Sequence, residues 1–184
     1  DRVTKHFLSK LMITDLQGKE WKEPMPQERA NSRSEELMQA LSNPTVLDRL
    51  PNDPNHILVV NNVGSNAGDV YKVNLSTFKA ERIQISEDKV AGYVTDLDGS
   101  LRARLKQSVD DRGAYVSAEF RNAGGQWEEH FRSYVKNRDQ TQIIGFGNDP
   151  NIAFVLSNEG QDKSLIYEYD IAARQRKEVL FKHR

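Results

Sequence analysis

The chain has 184 residues and a mass of 21.0 kDa, enough for one or at most two domains with a real core. Its 26 lysines and arginines against 27 aspartates and glutamates leave a net charge of -1, so no basic excess draws a polyanion and nucleic acid is not an expected partner. Without cysteine there is no disulfide framework, thiolate nucleophile or cysteine-ligated zinc, and the longest apolar run, Ile152–Leu156, falls far short of the ~20 residues of a membrane helix.

A composition that is 37% hydrophobic and 29% charged, with mean hydropathy -0.72, suits a β-rich protein with wet outer strands. The chain starts at Asp1 with no charged and then apolar leader, and its compartment stays open.

Leu11–Leu16, followed by the Gln17-Gly18-Lys19 turn and Trp21, reads as the outer hairpin of a blade whose inner strands lie partly upstream, spanning 1–23. Residues 24–44 form an insertion with one short helix. Ser32 and Glu35 fit a capping box there, and Leu37, Met38 and Leu41 form one apolar face.

The next stretch, 45–85, divides into four strands: Thr45–Leu50, His56–Asn61, Asp69–Leu75 and Glu81–Ile85. Apolar and β-branched runs are separated by Asn52-Asp53-Pro54-Asn55, by Gly64–Gly68 and by Ser76–Lys79, where proline removes a ladder donor and glycine supplies positive φ. Residues 90–135 supply four more: Val90–Thr95, Leu101–Lys106, Ala114–Phe120 and Trp127–Val135. Their breaks, Asp96–Gly99, Asp110–Gly113 and Asn122–Gly125, are hairpin turn signals.

The last stretch, 141–181, repeats the first. Sliding the chain by 96 residues sets Thr45–Ile85 on Thr141–Phe181 without a gap, and nine of 41 positions are identical. Asn52-Asp53-Pro54-Asn55 falls on Asn148-Asp149-Pro150-Asn151, and Asp15, Asn74 and Asp170 take the same place before an apolar residue. Three meanders of about 41 to 46 residues in a row match the four-stranded blade of a β-propeller. The fold class is therefore all-β: a partial β-propeller of about three four-stranded blades plus part of a preceding one, with a short helical insertion. The whole of 1–184 is read as a fragment of one propeller domain. An immunoglobulin-like sandwich has similar strand spacing but would not explain the self-match.

Chemistry is scarce. No serine has glycine two before and two after it, and no alternating strand and helix pattern supports a hydrolase elbow. His6, His56, His130 and His183 lack a second ligand at metal spacing and read as surface or strand positions. Gly145-Phe146-Gly147 has Pro150 where a dinucleotide loop needs its third glycine, and Asp96-Leu97-Asp98-Gly99 lacks the rest of a calcium loop. Both read as turns. Arg102 and Arg104, two apart on one strand, share a face and suit a peptide carboxylate. Pairing with acids such as Asp96 or Asp98 is the preferred alternative. Glu128, Glu129, Arg132 and Lys136 look like a wet outer strand. No catalytic, cofactor-binding or metal residue is assigned, and no cofactor is expected.

The stretch Leu50–Val59 resembles a segment in propellers of the prolyl oligopeptidase family of serine peptidases, the dipeptidyl- and acylaminoacyl-peptidase branch. Tyr93-Val94-Thr95-Asp96-Leu97-Asp98-Gly99-Ser100-Leu101-Arg102 is similar to the aromatic, Asp, Gly, Arg pattern there, with Tyr93 where tryptophan is common. Gly125-Gln126-Trp127 and the blade from Gly145-Phe146 to Tyr169-Asp170 continue the likeness, which covers roughly Leu50–Phe181. The resemblance implies a non-catalytic propeller portion that gates access to a C-terminal α/β-hydrolase domain absent from this chain. The alternative is a stand-alone TolB-like propeller that binds a protein or ligand.

The expected partners are the remainder of the same protein, namely other blades and the hydrolase domain, together with a peptide substrate. Self-association is expected through bare terminal faces carrying Leu47, Leu58 and Val70, or Ile143, Phe154 and Ile166.

Overall fold

The computed structural model describes residues 10–24, 31–63 and 67–182. His6, His183 and the Gly64-Ser65-Asn66 part of the predicted loop lie outside them. The chain divides into two compact units, 1–87 and 88–184.

The first unit opens with a short hairpin, β1 (Ile13–Thr14) and β2 (Trp21–Lys22). Gly18 turns it at φ 69, while the Asp15 carboxylate accepts the Lys19 amide at 2.7 Å and the Trp21 indole donates to the Gly18 carbonyl at 2.9 Å. Helix α1 (Arg33–Leu41) follows, its first turn closed by the Glu36 amide on the Ser32 carbonyl at 3.0 Å. The expected capping-box side chain of Glu35 lies outside the described side chains.

Blade 1 is an antiparallel meander of β3 (Ser42–Asp48), β4 (His56–Val63), β5 (Val70–Asn74) and β6 (Ala80–Gln84). β3 starts three residues before the predicted strand and runs through Pro44. It is an edge strand of its sheet, so the missing N–H costs no shared ladder bond. Gly68 is required where the chain re-enters the sheet, because a Cβ there would collide with the Asn61 carbonyl.

The second unit holds blade 2, with strands β7 (Val90–Thr95), β8 (Leu101–Asp110), β9 (Gly113–Arg121) and β10 (Trp127–Tyr134). A 3-10 turn over Val135–Asn137 leads to blade 3: β11 (Thr141–Phe146), β12 (Ile152–Ser157), β13 (Leu165–Asp170) and β14 (Gln175–Lys182). Each sheet pairs its four strands in chain order. The fold is a partial β-propeller with, among the described residues, three four-stranded blades, a hairpin before them and one short α-helix.

The repeat extends to single hydrogen bonds. In blade 1 the His56 amide reaches the Asp53 carbonyl, and the Leu75 amide the Asn55 carbonyl. In blade 3 Ile152 and Asp149, then Ile171 and Asn151, make the same bonds 96 positions on. Phe78 and Arg174, also 96 apart, both take left-handed backbones at φ 58 and 53.

The alignment does slip in the first strand. Val46 pairs with Val59 and Ile143 with Val155, an offset of 97 for one strand and 96 for the other. Blade 1 thus has one more residue between its first bulge and the following turn, and the gapless match of Thr45 to Thr141 is not a structural equivalence.

Blades 2 and 3 pack face to face. Ala103, Ala118 and Phe120 meet Ile143, Phe146, Ala153, Val155, Leu165, Tyr167 and Tyr169 in one buried cluster. Small residues on one sheet leave room for rings from the other. Phe120, 1% exposed, stacks on Tyr169 at 5.9 Å and meets Phe146 edge-on at 6.1 Å. Burying such a ring contributes about 2–3 kcal/mol before ring–ring terms.

Burial corrects part of the bare-face expectation. Leu58, Val70 and Ile143 are 1%, 0% and 3% exposed. Ile144 is the extra residue of a bulge in β11 and stands 44% exposed, so Ile143 shares the buried face of its partner Val155. Phe154 and Ile166 occupy the opposite face and are half-buried.

Candidate functional site

A cleft of about 570 Å3 opens between blades 2 and 3, lined by Arg102, Phe120, Glu128, His130, Ile171 and Arg174 among others. It lies at the strand ends where the β7–β8, β9–β10, β11–β12 and β13–β14 turns gather. Its size suits a small ligand.

Two β-bulges place its polar groups. Val94 pairs with Ala103 and Thr95 with Leu101, so Arg102 is the unpaired residue on β8. On β10, Glu129 pairs with Glu119 and Phe131 with Ala118, which leaves His130 as the extra residue. A bulge breaks the alternation of faces and re-aims a side chain. Arg102 therefore reaches blade 3 although its neighbour Ala103 already packs there: Nη2 donates to the Pro150 carbonyl at 2.9 Å and the guanidinium lies 5.7 Å from the Phe146 ring.

The two arginines paired in the sequence reading consequently part company. Arg104 turns to the face of Glu119 and Trp127, bonding the carboxylate at 2.6 Å and covering the indole at 4.6 Å. Arg102 stands 3.5 Å from the Asp96 carboxylate, the acid named from sequence as a partner. The common face fails because alternation holds only in an unbroken ladder.

Across the cleft, Arg174 projects from the β13–β14 turn and bonds Glu128 at 2.7 Å. Asn122 donates to the other Glu128 oxygen at 2.7 Å. These two bonds hold the Glu128 carboxyl below its usual range. Glu128 is thus a member of the cleft rather than a free group on a wet strand, whereas Arg132 does pair with Glu129, at 2.8 Å, and with Asp110 at 3.1 Å.

His130 lies with Nδ1 3.0 Å from the Tyr169 hydroxyl and its ring edge-on to Phe120 at 4.9 Å. Burial, then the Arg174 charge, pushes its pKa below 6.5 against the opposing pull of Glu128. Sequence spacing gave no sign of this position, since its partner Tyr169 lies on another blade and its bulge depends on the register of β10 against β9.

The remaining motifs are turns. Asp96 accepts the Asp98 and Ser100 amides at 3.1 and 2.9 Å with Gly99 at φ 79. Gly147 donates to the Ile152 carbonyl at 2.9 Å at the β11–β12 corner. In blade 1, His56 is held between the Asp53 carboxylate at 2.9 Å and the Asn74 amide at 3.1 Å. Among the described residues no group of three histidines or carboxylates is placed to hold a metal.

Over 131 residues the chain is 28% identical to dipeptidyl aminopeptidase BIII of Pseudoxanthomonas mexicana. The matched stretch is 71% of this chain and 19% of the relative, so the chain corresponds to about a fifth of that aminopeptidase's length. No protein-family model matches the chain. The similarity to the aminopeptidase is distant, and it joins a four-stranded blade architecture to a peptidase.

Proposed function

We propose that this chain is the non-catalytic β-propeller portion of a prolyl oligopeptidase-like serine peptidase and gates access to an α/β-hydrolase domain carried elsewhere in the same protein. The observation that carries this reading is the 131-residue similarity to dipeptidyl aminopeptidase BIII, in a chain whose described residues form three four-stranded sheets. The motif likeness of Leu50–Val59 and Tyr93–Arg102 supports it. Blades 2 and 3 pack through aromatic and small residues, as suits a non-catalytic scaffold, and chemistry in this reading belongs to another domain.

The test is the parent reading frame and its product. Beyond Arg184 the frame should encode Gly-x-Ser-x-Gly followed by Asp and then His, and the whole protein should hydrolyse short peptides while this chain alone does not. A parent protein that lacks the elbow and binds a protein or ligand without turnover would replace this reading with a stand-alone propeller.

A further inference from the structure

We propose that the cleft between blades 2 and 3 binds the carboxylate of a small ligand with an apolar tail, such as a peptide C-terminus, with Arg102 and Arg174 holding the charge and Ile171 and Ala172 the tail. Three arginines, Arg102, Arg121 and Arg174, line this cleft with one carboxylate, Glu128, while Asp96 beside the lining pairs with Arg102 at 3.5 Å. The three guanidiniums outnumber these two carboxylates, so the lining has a cationic excess.

Arg102 has donors to spare. A guanidinium carries five N–H groups in a fork that fits a carboxylate. Among the described residues its side chain gives one hydrogen bond, to the Pro150 carbonyl at 2.9 Å, and pairs with the Asp96 carboxylate at 3.5 Å, which leaves N–H groups of the fork for a second carboxylate. Its side chain is 26% exposed, so it is reachable and yet held in place by the bulge.

Arg174 stands at φ 53, a backbone conformation that glycine adopts at less cost. Its side chain remains 52% exposed at the mouth while bonded to Glu128. An incoming carboxylate would share or displace that partner. The apolar part of the lining that a ligand can reach is Ile171 and Ala172 from blade 3, backed by the buried Phe120 of blade 2.

The experiment is an amide-resolved NMR titration of the chain with N-acetylleucine, its uncharged amide, and N-acetylaspartic acid α-amide. N-acetylleucine should shift the Ile171, Ala172 and Arg174 signals saturably, and the uncharged amide should not. Arg102→Gln should weaken binding about tenfold, the scale of one lost charge-assisted contact, and Arg102→Lys should weaken it less. Glu128→Gln should strengthen binding, because Arg174 loses its competing carboxylate. A merely structural Arg174–Glu128 bridge would not produce that gain.

Weaker binding of the aspartate probe, which carries a carboxylate but no apolar tail, supports the assignment, and equal binding would overturn the part given to the tail. No saturable shift at the cleft, equal binding of the uncharged amide, or unchanged affinity in Arg102→Gln with a native spectrum would overturn the assignment.

Discussion

Nδ1 of His130, on the outer strand of blade 2, lies 3.0 Å from the hydroxyl of Tyr169 on blade 3, and both rings contact Phe120. The bond ties a titratable group to the buried seam between two sheets. Because the folded state holds the His130 pKa below its ordinary 6.5, the unfolded chain binds the proton more readily. Stability carried by His130 is therefore complete above about pH 6.5 and declines as pH falls below it. An NMR titration of the imidazole should give a pKa under 6.5, and His130→Gln should flatten the stability profile below about pH 6.5. A His130 pKa above 6.5 would contradict this account of the seam.

Phe120 is the centre of that seam, 1% exposed and in contact with rings from both blades. Phe120→Ala should cost about 3–5 kcal/mol, the usual penalty for a phenylalanine-sized cavity. Val109, 74% exposed at the tip of the β8–β9 hairpin, should tolerate alanine within about 0.5 kcal/mol. Urea unfolding of the two variants measures the contrast. Similar losses in both would mean that the interblade cluster is not the core of this unit.

Much of this architecture was legible from local chemistry. The Asn-Asp-Pro-Asn turns at Asn52 and Asn148 read correctly because their bonds, such as Asn55 and Asn151 amides to the Asp53 and Asp149 carboxylates at 3.3 and 2.9 Å, join near neighbours in sequence. Hairpin glycines at Gly99, Gly113 and Gly125 all take positive φ as the turn signals imply. Bulges were not legible. Whether Arg102, His130 or Ile144 is the unpaired residue depends on the register of a neighbouring strand, and no residue type announces it. That is why the arginine pair was placed on one face and why His130 read as an incidental surface position. The cleft needed both blades in place before its lining came together.

Asp53 offers an acid-side test in the first unit. Hydrogen bonds from Lys72 at 2.8 Å and His56 at 2.9 Å hold its carboxyl down at about 2. A depressed carboxylate stabilises the fold above its unfolded pKa and stops doing so as pH falls through its folded value. The loss should therefore run between about pH 4 and 2, and Asp53→Asn should remove that part of the pH dependence. Thermal melts of both proteins across this range decide it, and identical acid limbs would rule out the Asp53 contribution.

Gly68 tests the re-entry into blade 1. The Asn61 amide bonds the Asp69 carbonyl at 2.9 Å, which draws the two backbones together at Gly68. Gly68→Ala should cost more than the ~1 kcal/mol typical of point substitutions, since backbone rather than a flexible side chain meets the new methyl. Hydrogen exchange at the Asn61 amide should accelerate with it. Unchanged stability would show that the loop yields without strain.

The gating proposal is tested most directly by size selectivity in the whole protein that contains this chain. The measurement is the ratio of kcat/KM for a chromogenic short peptide to that for an unfolded protein carrying the same cleavable sequence, with residues 1–184 alone assayed in parallel. The account predicts a ratio strongly in favour of the short peptide and no turnover by the isolated chain. Equal rates on both substrates, or turnover by residues 1–184 that disappears when one serine is replaced, would contradict it.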